Sequence, residues 1–121
     1  MKTILKCIYK GPVWGLNRKI TRTAKGMIVN HSKYTKFKES LAWTMKVAKL
    51  THKDGSKENF EGEVALYLHI HTKHDIDAFE KCIQDALEMA YVIKDDKQIM
   101  EKHTYKLPPD ADNTIEIEVL G

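Results

Sequence analysis

The chain has 121 residues, 42% of them hydrophobic, and a formal net charge of +3 at pH 7. This length and composition fit one compact domain over residues 1–121, with a single modest core and no room for a second domain. Apolar runs are only a few residues long and lysines interrupt the first ten residues, which argues against a membrane span or signal peptide and predicts a cytoplasmic protein.

The small net charge conceals a strong division along the chain. Residues 1–60 contain 14 Lys and Arg against 3 Asp and Glu, a net charge of +11, whereas residues 61–121 contain 6 against 14, a net charge of −8. An enzyme acting on a polyanion would show this pattern, because basic side chains neutralise phosphates while separate acidic groups gather divalent cations. An uneven surface without function is the alternative interpretation.

The basic half predicts a strand, a loop and a helix. Residues 3–9 form the predicted strand, which Gly and Pro residues end. Residues 16–30 form a basic arm, which either orders on a phosphate backbone or is a flexible surface loop; its basic residues are Arg18, Lys19, Arg22 and Lys25. Ser32 is the predicted N-cap of a helix that ends near residue 50. Lys33 and Lys36 on this helix either contact phosphates or are solvated.

The acidic half predicts three strands and a second helix. Alternating apolar and polar residues predict strands over residues 61–72 and 114–120, and we expect another over residues 98–106. Apolar residues recur at helical spacing after Asp77, which with Glu80 forms an N-cap signature. The result is an α+β fold, with a small mixed β-sheet of about four to five strands packed against two main helices. Cys7 and Cys82 lack CxxC spacing, so we expect both to be reduced.

Two carboxylates lie where the strand over residues 61–72 gives way to the second helix. Asp75 and Asp77 are two residues apart, so in an extended linker their side chains point the same way. Mg²⁺ is bound by one or two carboxylates, several waters and the substrate phosphate, and this corner offers such a site. Helix capping alone, which stabilises a helix by about 1 kcal/mol, explains Asp77 but leaves Asp75 unexplained.

Further charged residues follow at suggestive positions. Lys81 comes one helical turn after Asp77, on the same side as the carboxylates and within reach of a bound phosphate. A surface ion pair would produce the same spacing, and spacing alone does not decide between the two. Asp95 and Asp96 form a second acidic step, which a chain returning antiparallel beside the preceding strand would bring to the metal.

Three histidines offer a different site. His69 and His71 share one face of the predicted strand, and His74 follows shortly after, with Asp75 as a further oxygen ligand for zinc. The spacing is permissive, and no neighbouring Cys or HExxH helix supports it. Ordinary cross-strand packing, or polar residues that face a nucleic acid, is the simpler interpretation. Phosphate-binding and nucleophile-elbow motifs are absent from the sequence.

The segment DIDAFEKCIQDALEMAYVIKDDKQI, residues 75–99, resembles the signature of the RusA family of Holliday junction resolvases. That signature is Asp-x-Asp-Asn-x-x-Lys, a helix containing Asp-Ala-Leu, and an Asp-Asp pair followed by Gln. Weaker similarity extends to GPVWGLN, to the basic loop with SKYTKFK, and to the final strand. The matching positions here are Asp75, Asp77, Lys81, Asp85-Ala86-Leu87, Asp95-Asp96 and Gln98-Ile99.

The resemblance implies a magnesium-dependent endonuclease, with Mn²⁺ as a substitute ion, that resolves four-way DNA junctions by paired nicks. It implies that Asp75, Asp77 and Asp96 bind the metal and that Lys81 assists at the phosphate. It also implies a homodimer, whose twofold symmetry suits the pseudo-twofold symmetry of the substrate. The basic arm, Lys33, Lys36 and His74 would then contact DNA, with salt-sensitive binding that is indifferent to sequence.

Two residues depart from the family pattern. Ala78 stands where Asn is usual, which removes an amide that would orient a carboxylate or hold the turn. His74 occupies a position often taken by Pro or a basic residue. The four residues assigned to chemistry are retained, which favours an active enzyme. A non-catalytic module that binds branched or single-stranded nucleic acid is the alternative, and a histidine-centred metal hydrolase is a third hypothesis.

Overall fold

The structure of the protein is a computed structural model, which describes residues 2–11, 13, 20–22, 28–30, 32–51, 60–73 and 76–121. Within these ranges the description is limited to the backbone at residues 20–22, 28–30, 32–33, 50–51 and 77–78. The helices and strands, in chain order, are β1 (Thr3–Tyr9), β2 (Ile20–Arg22), β3 (Ile28–Asn30), α1 (Ser32–Thr51), β4 (Val64–His71), α2 (Asp77–Met89), β5 (Ile99–Leu107) and β6 (Ile115–Leu120). A single turn of 3-10 helix, Asp96–Gln98, precedes β5.

The main sheet has four strands in the order β1-β6-β4-β5. Strand β6 pairs antiparallel with both β1 and β4, whereas β5 pairs parallel to β4, with Val64 opposite Ile99. Strands β2 and β3 form a separate antiparallel pair. The predicted α+β fold, a mixed sheet of four to five strands with two main helices, is confirmed.

Alternating side chains place the core on one face of the sheet. Leu66, Leu68 and Ile70 of β4 are fully buried, while Tyr67, His69 and His71 between them are only partly covered. The same alternation buries Leu5, Cys7 and Tyr9 of β1 and Ile115, Ile117 and Val119 of β6. Two-residue periodicity in the sequence therefore reports directly which face of each strand is buried.

Both helices pack against that buried face. The apolar stripe of α1, including Phe37 and Leu41, and the stripe of α2, including Phe79 and Ile83, belong to one continuous core with the sheet. Phe37 meets Phe79 edge to face, with ring centroids 6.1 Å apart, a favoured arrangement for aromatic pairs. Burying each such side chain stabilises the fold by about 1.5–3 kcal/mol.

Both cysteines are free and buried, as the sequence predicted. Cys82 lies in the core face of α2 and Cys7 in the core face of β1. Burial raises the pKa of the Cys7 thiol to about 11, because the core disfavours the thiolate. Both side chains therefore serve as small apolar core residues.

Two sequence expectations about local geometry were wrong. Ile76, in a helical conformation and without a side-chain cap, precedes the first residue of α2, so Asp77 begins the helix instead of capping it. The chain after α2 returns parallel to β4, not antiparallel. The unit β4-α2-β5 is thus a parallel crossover, in which the helix carries the chain back to the end of the sheet where β4 starts.

No helix in the described ranges combines the length and apolar character needed to cross a membrane. The cytoplasmic location and the single domain over residues 1–121 stay predictions.

Candidate active site

Lys81 on α2 bridges two carboxylates. Its Nζ atom lies 3.2 Å from Oδ1 of Asp85, one turn further along the same helix, and 3.5 Å from Oδ2 of Asp96 in the 3-10 turn. The side chains of Lys81 and Asp96 are both accessible, at 48% and 39% of their full exposure. The crossover of the chain thus brings Asp96 against the exposed face of α2.

The neighbouring charges hold Lys81 in its cationic form. Its pKa is raised above the ordinary value of 10.5, chiefly by the hydrogen bond and charge of Asp85 and to a smaller extent by Asp96. The ion pairs are solvent-accessible, so they contribute little to folding stability. Their chief consequence is a fixed positive charge beside an acidic group.

Glu88 extends this acidic face by one further helical turn. Its Oε1 atom accepts a hydrogen bond from the backbone N–H of Asp96, at 2.8 Å. Carboxylate oxygens of Glu88, Asp95 and Asp96 all lie within 4.8 Å of one another, the sole grouping of three potential metal ligands in the described ranges. Oxygen donors are the ligands that Mg²⁺ and Mn²⁺ prefer, so the donor chemistry fits a hard divalent ion.

A capping box fixes the turn that carries Asp96. The carboxylate of Asp95 accepts a hydrogen bond from the Lys97 N–H at 2.8 Å, and Oε1 of Gln98 accepts from the Asp95 N–H at 3.0 Å. The Lys97 N–H, followed by the hydrogen bond with Asp96, lowers the pKa of Asp95 below its ordinary value. This exposed carboxylate is therefore ionised at neutral pH and is engaged within its own turn.

Gln98 connects this turn to another part of the chain. Its Oε1 atom also accepts from the Lys94 N–H at 2.8 Å, while its Nε2 group donates to the carbonyls of Phe60 at 2.6 Å and Gly62 at 2.9 Å. Four hydrogen bonds thus hold one amide in place. The turn bearing Asp96 is fastened to the segment that enters β4.

Comparison with known families identifies the chain. A model of the family described as endodeoxyribonuclease RusA matches residues 10–120, nearly the whole length. The chain belongs to the RusA endodeoxyribonuclease family. No curated protein gave a significant match. The family suspected from residues 75–99 is therefore confirmed, and with it a nuclease.

Four residues of this RusA-family chain are predicted to carry out the chemistry, and the structure describes the side chains of two of them. The structure brings Lys81 and Asp96 into contact. Asp77 occupies the first position of α2, four residues before Lys81, but its side chain lies outside the description. Asp75 also lies outside the described residues. The assignment of these aspartates to one metal site stays a prediction.

Most of the predicted DNA-binding residues lie outside the described side chains. The undescribed segments contain Arg18, Lys19, Lys25 and His74. Only the backbone is described for Arg22 in β2 and for Lys33 at the start of α1. Lys36 is exposed on α1. The arm does contain the short antiparallel pair β2 and β3. A hairpin is one of the forms expected of this segment.

The histidines of β4 have ordinary structural partners. His69 stacks on Tyr105 of β5 with ring centroids 4.9 Å apart. His71 lies 3.1 Å from the carbonyl of Pro108 through Nδ1 and 3.6 Å from Glu116 through Nε2. These contacts favour cross-strand packing over a zinc site for both residues.

The sequence interpretation did not assign Asp85, Glu88 or Gln98 to the site. Asp85 and Glu88 follow Lys81 by four and seven residues, so helical periodicity alone places all three on one face. That signal was present in the sequence. The contacts of Gln98 with Gly62 and Phe60 had no comparable signal, because these partners lie 36 and 38 residues away.

Proposed function

We propose that this protein is a magnesium-dependent endonuclease that resolves four-way DNA junctions by paired nicks. Asp75, Asp77 and Asp96 would bind the metal, with Mn²⁺ as a possible substitute, and Lys81 would contact the scissile phosphate. The observation that carries the proposal is the contact between Lys81 and Asp96, which places a cation beside a predicted metal ligand. Membership of an endodeoxyribonuclease family supplies the reaction class.

The chemistry follows from the charges on α2. A bound divalent ion supplies a nucleophilic water and neutralises charge on the phosphate. Lys81 donates to a non-bridging phosphate oxygen, where its positive charge is worth most as negative charge develops in the transition state. Asp85, one turn further along the helix, holds the lysine in position. Glu88 holds the backbone of Asp96, so the carboxylate of Asp96 keeps its place.

Binding of the DNA is assigned to the basic half of the chain. Arg18, Lys19, Arg22 and Lys25 of the arm, with Lys33 and Lys36, would contact backbone phosphates, and His74 of the acidic half would add one further contact. Such contacts position the substrate without reading base sequence, and release of counterions makes them salt-sensitive. This division leaves the acidic half free to hold the metal, in agreement with the net charges of +11 and −8.

A homodimer completes the proposal, because paired nicks need two equivalent sites. We place its interface on the face of the main sheet opposite the helices, which no described helix covers. Ile8 and Tyr105 are 55% and 47% exposed there, beside the stacked pair of Tyr67 and His103. Aromatic side chains are enriched at protein interfaces, and this face carries several of them.

The charges of this face favour one way of pairing two copies. If the twofold axis runs parallel to the strands, β6 of one copy lies over β4 of the other. Since this axis preserves height along the strands, Glu116 then faces His69 of the second copy and Glu118 faces its Tyr67. With the axis across the strands, β6 would lie over β6 and place glutamates opposite glutamates, which is unfavourable.

Light scattering tests the homodimer. At micromolar concentration the protein should have about twice the 14.0 kDa mass of the chain. Ile8→Lys should reduce this to a monomer, whereas the matched change Val47→Lys, at an exposed apolar residue of α1, should not. A wild-type protein that stays monomeric and still makes paired cuts would contradict the dimer.

The function itself is tested with a labelled four-way junction, incubated with Mg²⁺ or with EDTA. Symmetric paired nicks that require the metal support the proposal. Binding without cleavage would instead support the non-catalytic module that the replacement of Asn by Ala78 suggests. Neither binding nor cleavage would exclude both.

A further inference from the structure

An open groove lies between the end of β1 and one face of α1. Its volume is about 570 Å³, and its lining includes Lys10 at the end of β1 and Lys36, Glu39, Ser40 and Trp43 from α1. The four α1 residues are spaced by three, four and seven positions, so they share one face of the helix. The groove shares no lining residue with the acidic face of α2.

Trp43 is the most unusual residue of this groove. Its side chain is 68% exposed, although tryptophan is highly buried on average in folded proteins. Lys10 and Lys36 line the same groove and are both exposed. An accessible aromatic face flanked by ammonium groups suits unpaired nucleic acid, because a base stacks on the ring while its phosphates bind the lysines.

The groove is connected to the start of α2 through a row of aromatic rings. Tyr9, which lines the groove, lies 5.6 Å from Phe37, and Phe37 lies 6.1 Å from Phe79. Phe79 is two residues after Asp77, a predicted metal ligand. Two ring spacings through the core therefore separate Tyr9 at the groove from Phe79 in the first turn of α2.

We propose that this groove binds an unpaired or unstacked base of branched DNA on Trp43, with backbone phosphates on Lys10 and Lys36. This inference rests on the proposed function, because it assumes a branched DNA substrate. Glu39 would accept hydrogen bonds from the exocyclic amino group of a cytosine or adenine. A continuous duplex keeps its bases stacked inside, so the groove would distinguish a branch from a linear duplex.

Binding assays in EDTA test the groove without cleavage. Trp43→Ala should weaken binding of a four-way junction and of a single strand on the order of 10-fold, as expected for loss of one stacked base. Binding of a linear duplex should change little. Trp43→Phe should restore part of the lost affinity. Val47→Ala, at another exposed apolar residue of α1, is the matched control and should bind all three DNAs as the wild type does.

Fluorescence gives a direct readout of stacking. The sequence contains two tryptophans, so Trp14→Phe leaves Trp43 as the only indole. Its emission should be quenched by the junction and by a single strand, and not by duplex. Unchanged junction affinity in Trp43→Ala, or an equal loss on duplex, would overturn the proposal. A change from dimer to monomer in Trp43→Ala would show that a second copy occupies the groove, and would also overturn it.

Cleavage assays on the same variants distinguish failure of this inference from failure of the proposed function. A protein that makes paired nicks with an unaltered preference for junctions in Trp43→Ala would refute the groove alone. If the wild-type protein never cleaves DNA but binds junctions through Trp43, the proposed nuclease activity is wrong and the proposed base-binding groove is supported.

Discussion

The ammonium group of Lys81 lies 3.5 Å from a carboxylate oxygen of Asp96, although fifteen residues and a change of direction separate them in the chain. Asp85 holds the same ammonium group at 3.2 Å. A cation is therefore fixed beside a predicted metal ligand in the protein alone, before DNA binds. Preorganised charge of this kind costs no rearrangement when the phosphate reacts.

Lys81→Ala should lower the single-turnover cleavage rate by about 100- to 1,000-fold, the usual cost of removing one preorganised donor. Junction affinity should change far less, because the interaction strengthens mainly in the transition state. Lys102→Ala is the control, since Lys102 also forms an ion pair with α2, at 2.8 Å from Glu80. Lost affinity with an unchanged saturated rate would make Lys81 a docking residue instead.

Replacing any one of Asp75, Asp77 or Asp96 by Asn should abolish cleavage and leave junction binding intact. Each change removes a charged oxygen ligand, and the loss of a negative charge does not weaken attraction to phosphates. Gel assays with Mg²⁺ measure cleavage, and anisotropy in EDTA measures binding. Wild-type nicking by Asp75→Asn would exclude that residue from the metal site.

Glu88 permits a distinction between a positioning role and direct metal binding. Glu88→Gln retains an oxygen that can accept from the Asp96 N–H, whereas Glu88→Ala removes it. We expect the Ala variant to need about 10- to 100-fold more Mg²⁺ for half-maximal rate, and the Gln variant to remain near wild type. A titration of rate against Mg²⁺ decides. If Gln is as defective as Ala, the charge of Glu88 itself is required.

The basic arm should govern affinity and its dependence on salt. Replacing Arg18, Lys19, Arg22 and Lys25 singly by Ala should weaken junction binding, and each lost phosphate contact should flatten the slope of log K against log salt by roughly 0.9. The cleavage rate at saturating protein should change little. Unaltered slopes in all four variants would remove the arm from the DNA interface.

Asp110 should stabilise the fold only where it is ionised. Its Oδ1 atom accepts from the backbone N–H of Thr114 at 3.1 Å, and its pKa is lowered, chiefly by the hydrogen bond from the Thr114 hydroxyl. A lowered pKa means that the stabilisation is present above the ordinary value of 3.8 and is lost as the pH falls through the folded-state pKa.

Asp110→Asn should therefore lower the Tm near neutral pH, and the difference from wild type should shrink as the pH falls below about 4. Asp112→Asn, in the same turn, is the control, because that residue contributes only backbone groups to the described hydrogen bonds. Thermal unfolding over this pH range measures both. A difference in Tm that is constant with pH would exclude the ionised form of Asp110 as the source.

The sequence predicted the helices and the strands of the main sheet because their periodicities are local. Apolar residues from Phe79 to Ala90 recur at helical spacing, and the observed α2 ends at Met89, one residue before the last of them. Strand direction is not local. The sequence of residues 99–107 is compatible with either pairing, and only the path of the chain through α2 makes β5 parallel to β4.

The candidate site likewise has some residues that local sequence patterns predict and some contacts that they do not. Lys81 and Asp96 could be chosen from the sequence because the family resemblance spans both, and their contact confirms that the fold brings them together. Asp85 and Glu88 could have been found by continuing the helical spacing from Lys81. Two of the four hydrogen bonds of Gln98, those to the carbonyls of Phe60 and Gly62, join residues distant in sequence, and no local pattern encodes such partners.

Because Lys81, Asp85 and Glu88 are all placed by α2, the helix fixes their angular positions as well as their spacing. Each residue added to an α-helix turns everything beyond it by about 100°. A single alanine inserted between Lys81 and Asp85 would therefore swing Glu88 and the return of the chain away from Lys81, without removing any functional group. A change of side chain leaves these angular positions intact, whereas a change of helix length inside the site preserves them only when it is close to a whole turn.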